Sequence, residues 1–151
     1  MKIAIAADHA GLDLKQALRD KLVAQGHEVA DLGPQSNDSV DYPDFAVAVA
    51  RRVASGQAER GILVCSSGVG MSIAANKVNG VRAALAFDPD EVELTRRHND
   101  ANVLAIGAKF SSQAEAERMV DIFLATGFDH GRHERRINKL REIEKEEATK
   151  G

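Results

Sequence analysis

Five short apolar runs recur along this 151-residue chain, each followed by a stretch of helical periodicity. That alternation leaves few folds open. Residues 3–7, 27–32, 62–64, 81–87 and 102–107 have the length and composition of strands. Between the first two, Leu14, Ala17, Leu18, Leu22 and Val23 fall at helical spacing, and Gly26 is placed to end that helix. After a polar stretch over 33–41, Tyr42-Pro43-Asp44 opens a second helix through Ala46, Val47, Val49, Ala50 and Val53. A third is expected over 72–78. Asp88 reads as an N-cap with Pro89 at the first helical position and Glu91 at the capping-box position, for a helix running toward His98. Ser112 and Glu115 form a second capping box, ahead of Ala116, Met119, Val120, Ile122, Phe123 and Leu124. The pattern predicts an α/β fold, one open parallel sheet of five strands with helices on both faces. Right-handed crossovers then place every strand-to-helix turn at one edge of the sheet. Those turns carry Asp8-His9, the loop before Tyr42, residues 65–70, Asp88, and Gly107-Ala108-Lys109.

The third turn holds the only cysteine. Cys65 follows Ile62-Leu63-Val64, a run suited to a buried parallel strand, and precedes Ser66-Ser67-Gly68-Val69-Gly70. The glycines let the backbone turn tightly and expose its N–H groups. A thiol at the carboxyl end of a sheet, beside a helix N-terminus that favours its thiolate, suggests a base or nucleophile facing an oxyanion cradle. A free cysteine is more often a small buried hydrophobe. Two serines and two glycines directly after it are not needed for packing, and they turn the balance toward chemistry.

A chain of this length fits one domain over 1–151. A net charge of −3 gives no support for nucleic-acid binding. One cysteine forms no intrachain disulfide framework and fits a reducing cytoplasm. No segment is long and apolar enough for a bilayer, and the first apolar run is cut short by Asp8 and His9. No Cys-x₂-Cys or His-x₃-His pair is present, and His130 and His133 are expected in a loop without a carboxylate cage, so no metal is expected. The glycine turn lacks the Gly-Lys-Ser/Thr ending of a nucleotide-phosphate loop and the third glycine of a dinucleotide fingerprint. The last helix, about 131–149 with its loop, is densely charged; Ile137, Leu140 and Ile143 form a narrow apolar seam. Such a seam belongs to a solvated tail or to an arm laid across a partner subunit, and its regular spacing favours the arm.

Five motifs in series carry a resemblance. They are Asp8-His9-Ala10-Gly11, Asp41-Tyr42-Pro43, Cys65-Ser66-Ser67-Gly68-Val69-Gly70, His98-Asn99-Asp100-Ala101-Asn102-Val103-Leu104, and Gly131-Arg132-His133-Glu134-Arg135-Arg136. Together, over essentially the whole chain, they resemble the type B ribose-5-phosphate isomerases, in the family that also holds allose- and galactose-6-phosphate isomerases. The resemblance implies a Rossmann-like αβα sandwich with a C-terminal helical arm. It implies a homodimer or dimer of dimers whose active sites take residues from both chains. The activity implied is interconversion of an aldose phosphate and a ketose phosphate without metal or other cofactor.

Such a reaction needs a base, an oxyanion site, a way to open the cyclic sugar and a phosphate anchor. By resemblance Cys65 is the base, and the N–H groups of Ser66, Ser67, Gly68, Val69 and Gly70 stabilise the enediolate. Ser67 stands where relatives often have threonine; both offer a hydroxyl. His98 matches the ring-opening residue, although an exposed histidine at a helix C-terminus is also a dipole partner. Asn99 binds substrate or ends the helix. Asp8 and His9 match contacts to sugar hydroxyls and phosphate respectively, with helix capping a rival role for Asp8. Arg132 and Arg136, four apart, share a helix face and match phosphate ligands. Lys109 stands where relatives often carry arginine and offers a point charge without bidentate geometry. His133, Asp41 and Tyr42 shape the site. Two alternatives stay open: a six-carbon sugar phosphate such as allose 6-phosphate, and a module that binds a phospho-sugar without turnover.

Overall fold

Five parallel strands form one sheet in the order Glu28–Asp31, Lys2–Ala7, Arg60–Cys65, Val103–Gly107, Ala83–Leu85, in a computed structural model that describes residues 1–150. Gly151, the last residue of the expected domain, lies outside the described residues. The strands are β1 (Lys2–Ala7), β2 (Glu28–Asp31), β3 (Arg60–Cys65), β4 (Ala83–Leu85) and β5 (Val103–Gly107). The helices are α1 (Leu12–Ala24), α2 (Tyr42–Ala54), α3 (Val69–Ala75), α4 (Pro89–Arg97), α5 (Gln113–Ala125) and α6 (Arg132–Lys150). The alternation read from the sequence is therefore the fold: an αβα sandwich on a five-stranded parallel sheet, with a C-terminal helix.

Alternate residues of the central strands feed two cores. Ile3, Ile5, Ile62, Val64, Leu104 and Ile106 point to one face, where Leu18 and Leu22 of α1, Val92 of α4 and Met119 and Phe123 of α5 cover them. Ala4, Ala6, Leu63, Cys65, Val103 and Ala105 point to the other, against Ala46, Val49 and Ala50 of α2 and Met71 and Ala75 of α3. Both faces being buried explains why these strands read as continuous apolar runs.

Local signals set the element ends. Gly26 takes φ +89° just past α1, where the Gly26 N–H bonds Val23 O and the His27 N–H bonds Leu22 O. Asp88 caps α4 by accepting from the Glu91 N–H at 3.0 Å, while Glu91 reaches back one residue further than a capping box requires, to the Phe87 N–H. The Ser112/Glu115 box is complete in both directions.

Two expectations shift. The third helix spans Val69–Ala75 instead of 72–78, because Gly68 adopts φ +80° and lets the helix begin directly after the turn. The fourth strand is three residues, not seven, and lies at the sheet edge. A turn of 3₁₀ helix over His9–Gly11 also precedes α1.

Candidate active site

The carboxyl edge of the sheet is assembled by backbone bonds between neighbouring turns. Cys65 and Gly107 end paired strands in register. Beyond them the Ala108 N–H donates to Cys65 O at 2.8 Å and the Lys109 N–H to Ser66 O at 3.0 Å. On the other side the Asp8 N–H donates to Val64 O at 3.1 Å. Asp8, His9, residues 65–70 and Lys109 thus meet at one edge, as the crossover rule requires.

Glycine is required where these turns touch. A Cβ on Gly107 would stand 2.6 Å from Ser67 O, and one on Gly11 would stand 2.4 Å from Val64 O. The turn is held from both sides by backbone that leaves no room for a side chain.

Cys65 lies at the floor of the turn, 5% exposed. Its sulfur accepts the Gly68 N–H at 3.0 Å. The cradle is smaller than the motif suggests. The Gly68 N–H is directed to the sulfur, and the Val69 N–H points to Ser67 Oγ at 3.3 Å. Gly70, in the first turn of α3, has no carbonyl one turn back for its N–H to meet. Tyr42 covers this end of the turn, its ring so close that a Cβ on Gly70 would approach it to 2.7 Å.

Asp8 is the cap of the 3₁₀ turn: its Oδ1 accepts from the Gly11 N–H at 2.9 Å, which is the rival role weighed from the sequence. His9 is exposed, and its Nδ1 accepts from the Val40 N–H at 3.3 Å. That bond puts the proton of the neutral ring on Nε2. The 33–41 loop that supplies Val40 is itself anchored. The ammonium of Lys15, fully buried, bonds Asp31 at 2.9 and 3.1 Å and Pro34 O at 2.8 Å. Lys15 looked from the sequence like any polar helix residue; the pattern offered no signal for its burial.

His98 and the arginines lie elsewhere. A helix that follows a parallel strand runs back along the sheet, so the C-cap of α4, which is His98, sits at the amino edge. The four steps of β5 from Val103 to Gly107 alone separate the two edges by roughly 13 Å. One chain cannot bring His98 to Cys65. The direction of the helix was readable in the sequence and already implied this.

At that second edge His98 stacks on His133, centroids 4.2 Å apart and planes within 11°. Asn99 and Asp100 follow His98 in a turn where Asp100 takes φ +47°. The Arg82 Nε donates to the carbonyls of Asn99 and Asp100 at 3.2 and 2.9 Å. Arg96, 3% exposed, donates to Asp100 Oδ1 at 2.8 Å and to Ala101 O at 2.7 Å. Arg132 and Arg136 are exposed on the first two turns of α6. Desolvation, then His98 and these two guanidinium groups, holds the His133 imidazole below its ordinary value, with Asp129 acting against them. The expectation that His130 and His133 lie in a loop without a carboxylate cage needs correction at His133, which has one carboxylate beside it. Donor atoms of His98, Asp129 and His133 lie within 4.8 Å of one another, because His133 belongs to α6 and not to a loop.

Comparison with known proteins agrees with this fold. The family model described as ribose/galactose isomerase matches residues 3–140, and the chain belongs to that family. It is 43% identical over 143 residues to ribose-5-phosphate isomerase B of Escherichia coli, covering 95% of this chain and 96% of that one. The structure of ribose-5-phosphate isomerase B from Clostridium thermocellum superposes with a TM-score of 0.95 at 47% identity, covering 97% of this chain and 99% of that one. The enzyme of the same name from Mycoplasma genitalium, with bound ribulose-5-phosphate, gives 0.93 at 44% identity, covering 96% and 97%.

Proposed function

We propose that this isomerase interconverts ribose 5-phosphate and ribulose 5-phosphate through an enediolate, in sites shared between two copies of the chain. The observation that carries the reading is the Cys65 sulfur receiving the Gly68 N–H at 3.0 Å at the carboxyl edge of the sheet. The names of the relatives above and the ribulose-5-phosphate in one of them support the substrate. Cys65 takes the proton from the carbon beside the carbonyl and returns it to the neighbouring carbon. The oxyanion contacts fall to the donors of the turn not directed inward, Ser66, Ser67 and Gly70. His98 opens the ring by passing a proton between ring oxygen and anomeric hydroxyl. Asp8, through the oxygen not used in capping, and Asn99 hold hydroxyl groups. His9, through Nε2, and Arg132 and Arg136 hold phosphate, with Lys109 adding a point charge at the Cys65 edge.

Two copies are needed because the base and the ring-opening group occupy opposite edges of one chain. Apolar surface is available for the purpose. Phe87 and Phe110 are 71% and 75% exposed beside the turn, where an apolar cavity of about 320 Å³ is lined by them with Ser67, Val69, Leu85 and Gly107. On α6 only Ile137 of the seam is buried, leaving Leu140 and Ile143 exposed. A two-fold dimer that sets one copy's amino edge and α6 against its partner's carboxyl edge covers both and completes two sites. No described helix is long and apolar enough to cross a membrane; the single cysteine, which fits a reducing compartment, is the ground on which we place the enzyme in the cytoplasm.

The deciding assay is turnover on ribose 5-phosphate and allose 6-phosphate in parallel, with chelator present. A dominant five-carbon rate supports the assignment; a six-carbon preference keeps the mechanism and moves the substrate. Binding of both without turnover would leave only a phospho-sugar binding module. Complementation tests the shared site. Mixed Cys65→Ala and His98→Ala chains regain activity in roughly a quarter of the sites on random pairing, whereas a site contained in one chain regains none.

A further inference from the structure

At the amino edge, His98, Asp129 and His133 bring their donor atoms within 4.8 Å of one another, and each is held by backbone. The His98 N–H bonds Leu94 O at 2.9 Å, the Asp129 N–H bonds Arg97 O at 3.0 Å, and the His133 N–H bonds His130 O at 3.1 Å. The Asp129 carboxylate is further oriented by the Arg97 Nε at 3.3 and 3.2 Å. The three groups are thus placed by the end of α4, the start of α6 and the segment between them.

We propose that His98, Asp129 and His133 together bind a divalent transition-metal ion of the zinc class, and that the bound ion arrests the isomerase. The second part rests on the ring-opening role of His98 proposed above. Two imidazoles and one carboxylate, with a fourth position left for water in the shared site, are a donor set that zinc accepts. Zinc–ligand bonds of about 2.0–2.2 Å put tetrahedral donors about 3.3 Å apart. Turning the two stacked rings so that their edges meet at one point closes the remaining gap. Asp129 has two oxygens; one stays on Arg97 while the other turns to the ion, the kind of outer contact that orients a metal ligand. The same surroundings exclude hard cations. Arg97, Arg132 and Arg136 oppose an ion held by one carboxylate, so the metal must gain from imidazole bonding, as Zn²⁺, Co²⁺, Ni²⁺ and Cu²⁺ do and Mg²⁺ and Ca²⁺ do not. An ion on the His98 nitrogen occupies the lone pair that proton transfer needs.

The test is a Co²⁺ titration of chelator-stripped full-length protein, read by visible absorption, with Zn²⁺ competition and turnover measured alongside. The expected result is one Co²⁺ per chain, displaced by Zn²⁺ and not by Mg²⁺. Cys65→Ala retains it, while Asp129→Asn and His133→Ala each weaken it about tenfold or more. Zn²⁺ then lowers turnover, chelator restores it, and Asp129→Asn needs correspondingly more Zn²⁺ for the same inhibition. Absence of binding, binding unchanged in Asp129→Asn and His133→Ala, or binding lost in Cys65→Ala overturns the site. Metal held by these residues with turnover undiminished overturns the arrest and counts against His98 in ring opening. A stripped enzyme inactive on every sugar phosphate sinks the isomerase reading separately, since the Co²⁺ spectrum does not depend on turnover.

Discussion

The Gly68 N–H reaches the Cys65 sulfur only because Gly68 holds a left-handed backbone, φ +80°, at the start of α3. Any Cβ there is strained by its backbone. It would also stand 2.6 Å from Leu85 Cδ1 and 3.1 Å from the Gly107 N. Gly68→Ala is therefore expected to cost about 1–3 kcal/mol of stability and to lower kcat by more than KM changes, since the hydrogen bond to sulfur is disturbed. Urea unfolding beside steady-state kinetics measures both. Wild-type kcat in a destabilised variant would detach the bond from catalysis.

Cys65→Ala separates base from scaffold. The sulfur makes one hydrogen bond and packs in the core face that includes Met71 and Ala105, so its loss leaves the fold standing. Removal of a positioned base is expected to cost on the order of 10²–10⁴ in turnover, with affinity for a non-reacting sugar phosphate nearly unchanged. Calorimetric titration and an isomerase assay give the two numbers. Equal losses of affinity and turnover would make Cys65 a structural residue.

These residues show what a sequence discloses. Caps, the glycine turn and strand–helix alternation depend on neighbours within a few residues, so Gly26, Asp88 and Ser112 could be read directly. The frame of α3 was missed by three residues because it depends on one φ angle at Gly68. The burial of Lys15 depends on Asp31 and Pro34 across the α1–β2 contact, which helical periodicity does not contain. The Asp129 carboxylate beside His98 was missed for the same reason: Arg97 and the start of α6 place it. The grouping of Asp8, Cys65 and Lys109 at one edge, by contrast, follows from crossover handedness alone.

The turn behind His98 gives a third prediction. Arg96 is buried and satisfies Asp100 Oδ1, Ala101 O and Thr126 O. Arg96→Met orphans the buried Ala101 O, at about 1–3 kcal/mol, and strips the half-buried Thr126 O and Asp100 Oδ1 of this donor while Arg82 stays on Asp100 Oδ2. Because Asp100 keeps φ +47° with these partners in place, the turn carrying His98 and Asn99 should loosen, and hydrogen exchange at residues 98–102 should rise. If His98 opens the ring, kcat falls as well, and a rate unaffected by the loosened turn would argue against that role.

The last prediction concerns acid. Burial raises the Asp31 carboxyl, but the Gly33 N–H and the Lys15 ammonium, with Arg19 behind them, outweigh it and hold the group below its ordinary 3.8. A carboxylate depressed in the folded state contributes stability that is present above its unfolded value and lost as pH falls through the folded one. The contribution should therefore be complete at pH 7 and persist to about pH 4, then disappear in stronger acid. Asp31→Asn removes this dependence and leaves the buried Lys15 ammonium with neutral acceptors only, Pro34 O and the amide oxygen of the new side chain. Breaking one side of a buried pair costs about 3–5 kcal/mol, and the partial exposure of Asp31 points to the lower end. Urea unfolding at pH 7 and at the acid end should show a gap between wild type and Asp31→Asn that narrows as Asp31 protonates. A gap of constant size across that range would mean that the carboxyl is not titrating against folding.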